Sequence, residues 1–82
     1  MITLDGSRMT DRASMHAELK AKLRLPDYYG GNLDALNDCL GERRERELVV
    51  ITRAGDFLED CGPYGLSLLR VFSDNGLQVL LD

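Results

Sequence analysis

The 82-residue chain has no tryptophan, only two prolines, two cysteines and one histidine, and nowhere 18 consecutive apolar residues. Without such a run there is no membrane-spanning helix, so no membrane partner is expected. The opening Met1-Ile2-Thr3-Leu4-Asp5 lacks the basic and then apolar regions of a signal peptide, which points to a cytoplasmic protein. Cys39 and Cys61 are too few for a disulfide scaffold, and each sits inside an apolar helical pattern. Buried free thiols in a reducing compartment are the plainer reading, against a disulfide between them. One histidine and no metal-ligand cysteine spacing leave no basis for a metal or cofactor. Positive charge is also short: 10 Lys and Arg against 14 Asp and Glu give a net charge of −4, which argues against nucleic acid as a partner.

What remains is enough for a single domain over residues 1–82 with a modest core. Ile2 and Leu4 alternate with polar residues before Gly6, as in a strand that ends in a turn. Thr10 or Asp11 can cap a helix running to about Leu23, with Met15, Leu19 and Leu23 as its apolar ladder and Glu18 and Lys22 as an i, i+4 ion pair. Pro26 ends that element. After the loop Asp27-Tyr28-Tyr29-Gly30-Gly31, Asn32 is a good N-cap for a helix from Leu33 to about Leu40, closed by Gly41. Leu48 to Ile51 is a continuous apolar run, as in a strand covered on both faces. A helical turn around Asp56–Glu59 leads to Pro63, placed at the first position of a long helix whose stripe is Tyr64, Leu68, Val71 and Phe72. Asn75-Gly76 ends that helix, and Leu77 to Leu81 reads as a last, buried strand. Helical crossovers between apolar strands favour the α/β class, with helices packed on a small parallel sheet. The strand order does not follow from the pattern.

The acidic residues are not spread evenly. Between Arg24 and Arg43 there is no Lys or Arg, while Asp27, Asp34, Asp38 and Glu42 fall in that stretch. At about 100° per residue, Leu33, Leu36 and Leu40 share one side of the second helix, and Asp34, Asn37, Asp38 and Gly41 the other. A solvated face accounts for Asp34, in the first turn where the helix dipole favours an anion. It accounts poorly for Asp38, a weak helix former with a like charge four residues before it. Tyr28 and Tyr29 beside two glycines and Asn32 put aromatic rings next to this face, the usual anatomy of an interface hot spot, though at least one of the two is expected to pack in the core. The partner such a face fits is basic.

The stretch Leu25-Pro26-Asp27-Tyr28-Tyr29-Gly30-Gly31-Asn32-Leu33-Asp34-Ala35-Leu36-Asn37-Asp38-Cys39-Leu40 closely resembles the central segment of the barstar family, bacterial intracellular ribonuclease inhibitors. A looser resemblance covers nearly the whole chain, including Gly6, the helix with His16 and Leu19, and Leu69-Arg70-Val71-Phe72. It implies a three-stranded parallel sheet packed with three to four helices, and a cytoplasmic inhibitor without enzymatic activity or cofactor. The implied partner is a basic, secreted, guanyl-preferring ribonuclease, bound by a monomer in a 1:1 complex. By the same resemblance Asp38 is the principal carboxylate in the enzyme's phosphate site and Asp34 its companion. Tyr28 is the aromatic contact, Gly30 and Asn32 are loop contacts, and Asp74 matches an acidic contact at the end of the last helix. The chain departs from the family at Asn37, where a tryptophan is usual, and in the loop Gly41 to Glu47, whose three arginines and three glutamates replace an aromatic and aliphatic stretch.

Other functions read less well from these residues. Asp34 and Asp38 as an acid–base pair with Tyr28 or His16 would not flank a cleft, and a metal at Asp34 and Asp38 lacks further ligands. His16 lies near the Met15/Leu19/Leu23 stripe, where a packing role is the simpler one. A module of the same fold that binds some other basic protein remains the alternative.

Overall fold

The computed structural model describes all residues, Met1–Asp82. In chain order it contains β1 (Ile2–Asp5), α1 (Arg12–Leu23), α2 (Leu33–Glu42), β2 (Val49–Thr52), α3 (Ala54–Cys61), α4 (Pro63–Asp74) and β3 (Val79–Leu81), with a 3-10 turn at Gly6–Arg8 after β1. The strands form one parallel sheet in the order β1-β2-β3. This is the expected three-stranded α/β architecture, with four helices.

The helices cover one face of the sheet. Ile2, Leu4, Val49 and Ile51 point into the core beside Met15, Leu19, Leu36, Leu40, Phe57, Leu68 and Phe72. On the opposite face the row Thr3, Val50 and Leu80, paired in register, is exposed or half-buried. Two expectations are corrected here. β2 is the central strand, yet only one of its faces is fully buried. The last strand is not buried: it starts at Val79, forms an edge, and leaves Leu80 and Leu81 54% and 45% exposed. An apolar run identifies a strand without saying whether a second layer covers it.

Local chemistry sets most element ends. Asp11 caps α1, accepting from the Ser14 amide at 2.8 Å while Ser14 Oγ accepts from the Asp11 amide at 3.0 Å. The helix closes at Arg24 in the left-handed conformation. Glu18, 6% exposed, accepts from the Asp5 amide at 2.8 Å and pairs with Lys22 at 3.6 Å, so it ties α1 to the end of β1. Pro63 occupies the first turn of α4, and Asn75 with Gly76 (φ +76°) ends it. Gly41, expected to close α2, lies inside the helix instead. It is not in the left-handed region, and the helix runs on to Glu42 before Arg43 turns extended. The expected turn around Asp56 is a full helix, α3. Cys39 and Cys61 are free and half-buried rather than fully buried, and burial pushes both thiols above their ordinary pKa.

Gly6 is where β1 leaves the sheet against the end of β2. A Cβ there would sit 2.4 Å from the Thr52 carbonyl oxygen and 2.5 Å from that of Arg53, both backbone atoms that cannot swing aside. Gly6→Ala should therefore lower stability by about 1–3 kcal/mol or more, read as an earlier urea midpoint. Gly55, inside α3 with nothing within 4 Å of a Cβ, should respond in the opposite sense, Gly55→Ala gaining up to about 1 kcal/mol. Equal midpoints for the two variants would contradict this packing.

Candidate functional site

α2 is held from behind. Leu36 and Leu40 are 0% and 1% exposed, Leu33 is half-buried, and the helix packs against α4. Asn32 caps it, its side-chain oxygen accepting from the Ala35 amide at 2.7 Å. With the leucines fixed inward, Asp34, Asn37, Asp38 and Gly41 are all solvent-exposed, as the helical spacing predicts. Neither Asp34 nor Asp38 makes an ion pair or a side-chain hydrogen bond within the chain.

The arginines after α2 do not neutralise this pair. Arg43 donates to the Leu23 carbonyl at 2.8 Å and lies 3.6 Å from Glu47. Arg46 donates to the Arg43 carbonyl at 2.7 Å and crosses Gly76. Arg44 is exposed and unpaired. The two carboxylates therefore keep their charge free of any ion pair within the chain.

The loop before α2 is anchored through a contact the sequence reading did not assign. Tyr29 and Tyr64 hydroxyls lie 2.6 Å and 2.8 Å from Nδ1 and Nε2 of His16, which is 5% exposed. A neutral imidazole offers one donor and one acceptor nitrogen, so two hydroxyls satisfy it. The three rings join α1, the loop and α4, and Arg12 stacks over Tyr64 at 4.2 Å. Burial pushes the Tyr29 hydroxyl up to about 12, with Cys39 and Tyr64 adding to the shift, so it stays protonated. Tyr29 is thus the packing tyrosine. Its neighbour Tyr28 is 84% exposed and lies beside the acidic face, where an aromatic ring can anchor a partner. Gly31 allows the sharp turn between them and α2 at φ +68°.

Tyr28, Gly30, Asp38, Cys39 and Glu42 border a shallow cleft of about 240 Å³ between loop and helix. A larger one, about 550 Å³, is lined by Met1, Lys22, Arg24, Arg43 and Glu47, where Met1 and Arg43 both pair with Glu47, so the smaller acidic cleft is the better candidate. Asp74 is exposed at the last residue of α4, and that end meets α2 through a bond from Asn75 Nδ2 to Asn37 Oδ1 of 2.8 Å. Asn75 and the His16 pair were missed because their partners lie 38 to 48 residues away in sequence, or in a loop without periodicity. No cluster of three or more His, Cys, Asp or Glu has a metal-binding arrangement, and no helix is long and apolar enough to cross a membrane.

A family model described as "Barstar (barnase inhibitor)" matches residues 1–79. A protein of Bacillus subtilis (strain 168) described as "Putative ribonuclease inhibitor YrdF" is 36% identical over 74 residues, covering 89% of this chain and 81% of that protein.

Desolvation holds His16 below its ordinary pKa of 6.5. The unfolded chain therefore binds this proton more readily than the folded one, and stability falls as pH drops through 6.5, levelling below the folded-state value. His16→Gln should flatten that part of a stability-against-pH curve measured by urea denaturation. An unchanged slope between pH 7 and 5.5 in the variant would show that the slope has another origin.

Proposed function

The chain belongs to the barstar family, and on that premise we propose that it inhibits a secreted, guanyl-preferring ribonuclease by laying α2 and the loop before it in the enzyme's active site. The observation that carries this reading is the Asp34/Asp38 pair, exposed on a helix fixed by buried leucines and left without a cation of its own. A ribonuclease must gather positive charge to hold RNA phosphates. Two carboxylates one helical turn apart imitate that anionic backbone and form charge-assisted hydrogen bonds with the enzyme's cationic side chains.

In this arrangement Asp38 takes the main phosphate position and Asp34 the neighbouring one. Tyr28 supplies the aromatic anchor, while Gly30 and Asn32 let the loop backbone approach closely. Asn37 lies beside the two carboxylates on the same exposed face, and Asp74 adds a third acidic contact from α4. No residue of the chain performs chemistry on RNA; the protein acts by occupying the site as a single 1:1 partner inside the producing cell. A second reading is a basic partner that is not a ribonuclease, since a shared fold does not fix the partner. Co-purification with a basic protein that lacks nuclease activity would favour it.

Cleavage of RNA by the host's secreted ribonuclease, titrated with this protein, should stop near equimolar inhibitor. Association should be faster at low ionic strength. Asp38→Ala should weaken binding by about 2–5 kcal/mol, mainly through faster dissociation. Undiminished cleavage at equimolar protein, or an Asp38→Ala variant that binds as tightly as the parent, would refute the assignment.

A further inference from the structure

The end of α4 is fastened to the acidic face more firmly than chance proximity requires. Asn75 caps α4 with its backbone N–H, which donates to the carbonyls of Val71 and Phe72 at 3.2 Å. Its side-chain Nδ2 also donates to the Val71 carbonyl at 2.8 Å, which sets the carboxamide's orientation from within its own helix. The same nitrogen donates to Asn37 Oδ1 at 2.8 Å, at the edge of the exposed α2 face that borders the end of α4. Gly41 lies one helical turn beyond Asn37, and a Cβ there would stand at an ordinary contact distance, 4.0 Å, from Asn75 Oδ1, so Asn75 also neighbours the next turn of α2. On the next residue, Gly76, the Arg46 side chain packs so closely that a Cβ would be 3.3 Å from its Nε. The turn after α4 is thus held from α2 on one side and from the arginine loop on another.

We propose that Asn75 is a positioning residue for partner binding: its bond to Asn37 locks the end of α4 onto α2, so that Asp74 and the Asp34/Asp38 pair form one rigid acidic surface. This rests on the ribonuclease-inhibitor reading and adds how the surface is held. Surfaces ordered before encounter lose less conformational freedom on binding, and the gain is seen mainly as slower dissociation. Asn37 accordingly serves as an internal tie on the exposed face rather than as an apolar contact.

Two measurements test it. In the free protein, amide hydrogen exchange at Asn75, Gly76 and Leu77 should be roughly three- to tenfold faster in Asn37→Ala, which cuts the tie from the α2 side and leaves the α4 cap intact. In the complex with the ribonuclease, Asn37→Ala and Asn75→Ala should each speed dissociation by roughly three- to tenfold, and the double variant should be no worse than either. Unchanged exchange in Asn37→Ala overturns the tie. Fast dissociation of Asn37→Ala with wild-type dissociation of Asn75→Ala, or additive effects in the double variant, overturns the positioning role. If the unaltered chain inhibits no ribonuclease, the functional reading falls, and with it the positioning role; the exchange result then decides only whether the tie exists.

Discussion

The burial of Leu36 and Leu40 is the constraint on which the rest depends. A fully buried leucine contributes about 1.5–3 kcal/mol relative to an exposed one, whereas like charges at i and i+4 cost a few tenths. Packing therefore outweighs the repulsion between Asp34 and Asp38 and the poor helix propensity of aspartate. Since the leucines cannot leave the core, the carboxylates cannot leave the surface. The rotation of α2 about its axis is settled by its back, and the binding face is the consequence.

The loop before α2 obeys a similar division of labour over two adjacent residues. Tyr29 turns in to His16, and through it to Tyr64, giving the loop an anchor on two other helices. Tyr28, the residue before it, projects outward. One tyrosine orders the loop and the other is offered by it, so an exposed aromatic can be held in place without being buried itself. The arginines illustrate the converse. Three cations beside an acidic face could have cancelled it, but Arg43 and Arg46 are drawn to backbone carbonyls. The aspartates stay unpaired because local hydrogen bonds hold the guanidinium groups of Arg43 and Arg46, and Arg44 pairs with neither carboxylate.

Much of this was legible in the residues. The helical spacing of Leu33, Leu36 and Leu40 against Asp34 and Asp38, the caps at Asp11 and Asn32, Pro63 at a helix start and Asn75-Gly76 at its end all express local rules of period and backbone geometry. The same rules misplaced Gly41, because a glycine closes a helix only where the chain then turns left-handed, and here the helix runs on to Glu42. They also overstated the burial of the last strand, since apolar runs are alike at the edge and at the centre of a sheet.

From its own order of residues the chain determined the α/β class, the element sequence and the side of α2 on which the acid lies, because these depend on neighbours within a turn or two. Tertiary structure alone decided the strand order, the opposite fates of Tyr28 and Tyr29, the engagement of His16, and the union of Asn37 with Asn75. Each of these depends on which groups become neighbours when distant segments pack, and no local periodicity records that.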